Sequence, residues 1–217
     1  MLEKANARPD LILLLSLLFV ILVYPSLDHG TLRRLILAAL MFLPVIVATV
    51  RLSKLKGWLW PAVLLMVGAL LLTIVGMVFP AQVVLGIKWF LLAAFFALTA
   101  AGLFSYLRSA RSVTNAHLYT AVSIYLLLGI IWFAVYNAID ILTPGSIVRN
   151  TSVMADRSTE LLYFSLITLS TVGYGDIVPV HPEVRMLAAL EGIVGVLYIA
   201  IMVAVLVSAY KRPGQAG

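Results

Sequence analysis

The sequence predicts an all-α integral membrane protein. Of its 217 residues, 63% are hydrophobic and 11% are charged, and the mean hydropathy is +1.11. Soluble domains carry about a quarter charged residues, so a soluble fold is excluded. Six apolar runs have roughly the 17 to 25 residues that a helix needs to cross a bilayer. A shorter amphipathic run between the fifth and sixth is too short to span and is predicted to be a re-entrant helix.

The spans are placed by the limits of the apolar runs. They are Pro9 to Tyr24, Leu32 to Val50, Trp58 to Phe79, Val83 to Leu107, Ala116 to Leu142 and Val184 to Tyr210. Lys4 and Arg8 precede the first run, which leaves a signal peptide as an alternative. A five-span chain with an interfacial first helix is another alternative, because six spans place Arg33 and Arg34 on the outer side. With six spans both termini are cytoplasmic, and nine basic residues then lie inside against six outside, which is the expected bias.

The short run, residues 158–170, is predicted to be the re-entrant helix. Ser158 is its candidate N-cap, and Glu160 lies in the first turn, where the positive end of the helix dipole favours an acid. The negative end of this helix would then favour a cation nearby.

Directly after it stands the hexapeptide TVGYGD, residues 171–176. Gly173 and Gly175 can adopt the positive φ angles that turn successive carbonyls to one side, whereas an ordinary strand alternates them. A stack of carbonyl oxygens can replace the water of a dehydrated cation. Thr171 would add a hydroxyl ligand at the inner end, Val172 and Tyr174 would point away from the ion, and Asp176 would lie at the outer mouth.

TVGYGD is the selectivity-filter signature of potassium channels, and residues 116–210 resemble the pore module of the tetrameric potassium channel superfamily. Ser165 to Ser170, Pro179 and Gly195 extend the resemblance. It implies K⁺ binding at Thr171, Val172, Gly173 and Tyr174, with Gly175 completing the oxygen sites. Because one chain carries one filter repeat and a ring needs four, it also implies a homotetramer.

The resemblance implies further roles for single residues. Asp176 would be held behind the filter by Tyr163, since Ile167, the other candidate by register, cannot form a hydrogen bond. Gly195 stands where the family has a hinge glycine; close helix packing is the alternative. Glu191 is a candidate cavity acid, and the alternative is a neutral or hydrogen-bonded side chain braced against the re-entrant helix.

The chain is predicted to divide into three parts. Residues 1–115 form a four-helix peripheral membrane bundle, residues 116–210 form the pore domain, and residues 211–217 form a short cytoplasmic tail. The fourth helix lacks the repeated arginines of a voltage sensor, so the bundle is not expected to sense voltage. Such short tails leave no room for a cytoplasmic regulatory domain, and a gating ligand or a separate subunit is left open.

The sequence therefore predicts a potassium-selective channel of the cell membrane. No metal-ligand cluster, activated nucleophile or phosphate loop indicates an enzyme, no cofactor besides the permeant K⁺ is expected, and the scattered basic residues do not indicate nucleic acid. The alternatives are a non-selective cation channel of the same fold and a non-conducting regulatory or ligand-binding membrane subunit.

Overall fold

The computed structural model describes residues 2–24, 59–108, 114–150 and 155–208, and these are mostly helical. The elements in chain order are α1 (Leu2–Val23), α2 (Leu59–Val78), α3 (Gln82–Arg108), α4 (Asn115–Leu142), β1 (Ile147–Arg149), α5 (Arg157–Leu169), β2 (Ile177–Pro179) and α6 (Pro182–Ser208). Within these ranges α2, α3, α4 and α6 are long and apolar enough to cross a membrane. The prediction of a mostly helical membrane protein is confirmed.

The predicted number of spans stays a prediction. The apolar part of α1, Pro9–Val23, is shorter than the four spanning helices. The second predicted span, Leu32 to Val50, lies outside the described residues. The other helices begin and end within about two residues of the sequence prediction, because apolar length decides where a membrane helix ends.

Helix α4 is the centre of the described fold and packs against α1, α3 and α5. Its Phe133 is fully buried and contacts the rings of Tyr24 and Trp89 edge to face, with centroids 5.7 and 5.3 Å away. Such edge-to-face contacts are the favoured geometry of buried aromatic pairs. Tyr106 near the end of α3 stacks on His117 near the start of α4, and Trp89 near the start of α3 contacts Phe133 in the later part of α4, so these two helices are antiparallel.

β1 and β2 form a two-stranded antiparallel sheet, and α5 and the segment after it lie between these two strands in the chain. β1 pairs with β2 in the register Ile147 to Pro179 and Arg149 to Ile177. The sequence analysis predicts no strand here, because three-residue strands are too short to show an alternating pattern. The pairing brings the chain before α5 next to the chain after the TVGYGD segment, Thr171 to Asp176.

Candidate functional site

The TVGYGD segment leaves the end of α5 through a set of backbone hydrogen bonds. The amide of Thr171 donates to the carbonyl of Thr168 at 3.0 Å, and those of Val172 and Gly173 donate to the carbonyl of Ile167 at 2.9 and 3.2 Å. These bonds satisfy carbonyls that the last turn of a helix leaves without partners. They also fix the direction in which the segment starts.

Positive φ angles recur at every second residue of the segment. Thr171, Gly173 and Gly175 have φ angles of 60°, 51° and 78°, whereas Val172 and Tyr174 are not in the positive region. Positive φ at every second residue reverses the alternation of an extended strand, so that successive carbonyls can face one way. An added Cβ at Gly173 or Gly175 would meet no atom within 4 Å. Glycine is therefore favoured there by conformation and not by space.

Thr171 was not predicted to adopt positive φ, and it is the one such non-glycine among the described residues. A β-branched residue in this region is strained by about 1 to 2 kcal/mol. Strain of this kind persists only where surrounding contacts enforce it, and it is concentrated at functional sites. A signal for this conformation was present in the sequence. Gly173 and Gly175 stand two residues apart, and Thr171 stands two residues before Gly173.

Among the described residues, no group donates a hydrogen bond to the backbone carbonyl oxygens of residues 171–175. These residues belong to a chain rich in membrane-capable helices. Backbone carbonyls in a membrane need a partner, which is either protein, water or an ion. The arrangement is chemically suited to replace the hydration shell of a cation.

The two residues predicted to support the segment are brought together. The Tyr163 hydroxyl donates to Asp176 Oδ2 at 2.9 Å, and the Ile177 amide donates to Asp176 Oδ1 at 3.1 Å. The amide of Asn150 donates to the Asp176 carbonyl at 2.7 Å, a contact that sequence reasoning missed. Asp176 is thus held by α5, by its own backbone and by the end of β1.

A cluster of charges ties the start of α5 to its neighbours. Arg157 donates to Asp140 of α4 at 2.9 Å through Nε and to the Ile147 carbonyl at 2.7 Å, while Arg149 donates to Glu160 at 2.6 Å. The hydrogen bonds to Asp140 raise the pKa of Arg157 above its ordinary value, so the guanidinium stays charged. Sequence reasoning assigned Glu160 to the helix dipole alone, since ion pairs between distant segments leave no local signal.

The predicted cap of α5 is wrong by two residues. Asp156 is the N-cap, and Ser158 lies inside the first turn. The Ser158 hydroxyl instead donates to the side-chain oxygen of Asn137 on α4 at 3.0 Å. A buried polar partner on another helix competes successfully with local capping.

The interpretation of Glu191 as a cavity acid is corrected by its contacts. Its exposed fraction is 0%, and its carboxyl group lies between Tyr136 of α4 and Ser165 of α5, at 2.6 and 2.7 Å. The open groove beside the TVGYGD segment is lined on α6 by its neighbours Ala188, Gly192 and others, not by Glu191. The carboxyl faces inward because partners for both of its oxygens lie there.

Gly195 lies against the end of α5. An added Cβ would stand 1.9 Å from the backbone oxygen of Leu169. Close packing alone therefore accounts for a glycine at this position, and its role as a gating hinge stays a prediction. Among the described residues no group of three or more His, Cys, Asp or Glu side chains could hold a metal ion.

Comparison with known proteins bears on this same part of the chain. Residues 120–212 match the family model described as Ion channel (Ion_trans_2). These residues are similar to an ion channel domain. The chain is 29% identical over 76 residues, 35% of its length, to the inward rectifier potassium channel Kirbac3.1 of Paramagnetospirillum magnetotacticum, and 39% identical over 50 residues, 23% of its length, to the potassium voltage-gated channel protein shk-1 of Caenorhabditis elegans. No solved structure matches the chain.

These matches confirm the resemblance to the potassium channel superfamily. They cover 25% of the first relative and 9% of the second, so the chain spans a small part of each. The matched region begins inside α4 and includes α5, the TVGYGD segment and α6. The matches indicate a channel and not an enzyme, in a multi-pass membrane protein.

Proposed function

We propose that this chain is one subunit of a homotetrameric channel that conducts K⁺ passively and selectively across the cell membrane. The observation that carries the proposal is the backbone of the TVGYGD segment, where positive φ recurs at Thr171, Gly173 and Gly175. A stack of like-directed carbonyls suits an ion that must shed its water. Tyr174 favours potassium selectivity over the non-selective alternative, because it completes the signature sequence.

In this proposal K⁺ is the substrate and binds at four successive levels. The carbonyls of Thr171, Val172, Gly173 and Tyr174 supply the oxygens, and the Thr171 hydroxyl adds a ligand at the inner end. Gly175 continues the stack outward. Ions in adjacent sites repel one another, so entry of one promotes exit of the next. Helix α5 acts as the pore helix, with its negative end directed at the ion path.

Exposed apolar surface in the single chain supports assembly with further copies. Val172 and Tyr174 are 51% and 73% exposed, although their roles require packing behind the carbonyls. Ile193 and Leu197 of α6 are exposed and line the groove beside the segment. One segment supplies one quarter of each oxygen ring, so four copies are needed around a central axis. Neighbouring copies would cover these apolar side chains.

The three-part organisation belongs to the proposal as well. Residues 116–210 form the pore domain, residues 1–115 form a peripheral bundle that does not sense voltage, and residues 211–217 form a cytoplasmic tail. Within α3 the basic residues are Lys88 near one end and Arg108 at the other. Voltage sensing needs several charges crossing the field at about 2.3 kcal/mol per charge per 100 mV. With the nine-to-six bias in basic residues, both termini lie in the cytoplasm.

The test is ion flux from liposomes that contain the purified chain. K⁺ or Na⁺ provides the only gradient, barium serves as the blocker, and protein-free liposomes serve as the control. We expect barium-sensitive K⁺ flux with little Na⁺ flux, together with a tetramer by native mass spectrometry. Equal flux of both ions would contradict selectivity, and an intact tetramer that passes no ion would favour a regulatory subunit.

A further inference from the structure

Glu191 joins three helices through side-chain hydrogen bonds. It stands on α6, Tyr136 stands on α4, and Ser165 stands on α5; all three are 0% exposed. Ser165 Oγ also lies 2.8 Å from the backbone carbonyl of Gly129 on α4. The four groups form one chain of contacts, Tyr136 to Glu191 to Ser165 to Gly129. The ion path proposed above does not use any of these groups.

The number of hydrogens available to these four groups determines whether Glu191 is protonated. A serine hydroxyl has one hydrogen to donate, and a carbonyl oxygen can only accept. Ser165 therefore donates to the Gly129 carbonyl at 2.8 Å. The contact of 2.7 Å between Ser165 Oγ and Glu191 Oε1 then needs a hydrogen from the carboxyl group. The Tyr136 hydroxyl donates to the other oxygen, Oε2, at 2.6 Å. Every donor and acceptor is satisfied when Glu191 carries a proton.

The surroundings favour the same state. Glu191 interacts electrostatically with two tyrosines of α4, Tyr136 and Tyr125. Among the described residues no arginine, lysine or histidine pairs with it; the ion pairs of this part of the chain are those of Arg149 and Arg157 with Glu160 and Asp140. An ionised carboxylate buried without a cation costs several kcal/mol, roughly, so it takes up a proton instead.

We propose that Glu191 is a neutral carboxylic acid that donates its proton to Ser165 and so acts as a positioning residue between α6 and α5. This inference rests on the hydrogen-bond pattern and does not depend on conduction.

A second contact explains what the bond positions. Glu191 and Gly195 stand four residues apart on α6, and their partners Ser165 and Leu169 stand four residues apart on α5. Four residues are about one helical turn, so the two contacts lie on one face of each helix. The bond to Ser165 sets the register, and the close approach at Gly195 sets the distance. Together they fix α6 against the helix that bears the TVGYGD segment.

Infrared difference spectroscopy of the purified full chain in lipid tests the protonation directly. Glutamate is labelled with ¹³C, and the spectrum of Glu191→Gln is subtracted from that of the unsubstituted protein at pH 7, where an ordinary glutamate with a pKa of about 4.3 is ionised. We expect one isotope-shifted carboxylic acid band per chain. The matched control is Glu183→Gln on the same helix, an exposed acid whose subtraction should remove carboxylate bands only. Loss of carboxylate bands in Glu191→Gln would overturn the proposal.

Thermal unfolding of three variants provides the second readout. The amide of glutamine can donate to Ser165 and accept from Tyr136, so Glu191→Gln should melt within about 2 °C of the unsubstituted protein. Glu191→Ala leaves Ser165 and Tyr136 without this partner and should melt about 5 °C lower or more. Glu191→Asp is too short to reach both partners and should fall between them. Failure of Glu191→Gln to fold, or a loss equal to that of Glu191→Ala, would contradict a neutral acid.

Discussion

Helices α1 to α3 and the proposed pore unit use their polar side chains differently. The proposed pore unit comprises α4 to α6, the two-stranded sheet and the TVGYGD segment. In the first group the hydroxyls of Ser16, Thr73 and Thr99 each donate to a carbonyl of their own helix. In the pore unit some hydroxyls, such as those of Thr120 and Ser123, do the same, but other polar side chains join different elements, as Ser158 does with Asn137 and Tyr163 with Asp176. The contacts described between the first group and α4 include the aromatic ones of Phe133.

This difference indicates where the fold requires an exact relative position of its elements. Apolar contacts tolerate small shifts between helices, because dispersion and burial depend weakly on direction. Hydrogen bonds weaken steeply when their angle changes. The proposed stack of carbonyls depends on the direction of each oxygen, and directional bonds such as that of Tyr163 with Asp176 lie around the TVGYGD segment. We expect substitutions to be costly in the pore unit and mild in α1 to α3.

The largest expected effect follows from Gly195→Ala. Its Cβ would stand 1.9 Å from the Leu169 backbone oxygen, so α5 or α6 must move. Overpacking costs about 1 to 3 kcal/mol, and more where backbone has to shift, so we expect about 3 kcal/mol or more. The measurement is the melting temperature and the yield of monodisperse protein.

Gly192→Ala is the matched control for this prediction. It lies one turn earlier on the same helix, and its added Cβ would stand 3.7 Å from the Thr168 backbone oxygen, an ordinary contact. We expect it to melt within a few degrees of the unsubstituted protein, since a glycine in a helix interior is itself unfavourable relative to alanine by about 0.5 to 1 kcal/mol. Equal losses in the two variants would show that the close approach of Gly195 to Leu169 does not set the cost.

The next effect concerns Gly173→Ala. The positive φ of 51° strains any residue with a Cβ by about 1 to 2 kcal/mol, and the segment can relieve this strain by turning a carbonyl out of line. We expect the proposed K⁺ flux to fall at least about tenfold, since about 1.4 kcal/mol corresponds to a factor of ten. The melting temperature should change little. The measurement is the barium-sensitive flux from liposomes.

Gly145→Ala is the control for this prediction, because it introduces a similar backbone strain outside the TVGYGD segment. Gly145 also has positive φ, 82°, and an added Cβ would meet no atom within 4 Å. The cost to the backbone should therefore resemble that at Gly173, but in the loop between α4 and β1. We expect flux to stay within about twofold of the unsubstituted protein. An equal loss of flux in both variants would argue against a special role of the TVGYGD carbonyls.

The third effect concerns the bond between Arg157 and Asp140. Both side chains are partly exposed, so we expect Arg157→Gln to destabilise the protein by about 1 to 2 kcal/mol, less than a fully buried pair would. A double-mutant cycle with Asp140→Asn should give a coupling of about 0.5 to 1.5 kcal/mol from melting curves. The control is Arg185→Gln on the exposed start of α6. A coupling near zero would contradict the role assigned to this bond.

Sequence reasoning reached most elements of this fold but few of the bonds between them. Apolar length gave α2, α3, α4 and α6 nearly to the residue, and the hexapeptide indicated the functional segment together with its support by Tyr163. The inward direction of Glu191 was left open, because two residues on other helices decide it. β1 and the partners of Arg157 were missed for the same reason: contacts between distant segments leave no periodic signal in the chain.

The smallest expected effect compares one hydroxyl from each region. Thr99 is fully buried, yet its hydroxyl donates to the Phe95 carbonyl of its own helix, so Thr99→Val keeps the shape and leaves no donor unpaired on a neighbour. We expect a change below about 0.5 kcal/mol. Ser165→Ala removes a hydroxyl of equal burial that bonds to α4 and α6, and about 1 to 3 kcal/mol should be lost as Glu191 and Gly129 lose their partner. Melting curves of both variants measure the difference. If the two losses were equal, directional bonds would not set the pore unit apart, and the contrast between the two regions would reduce to how deeply each is buried.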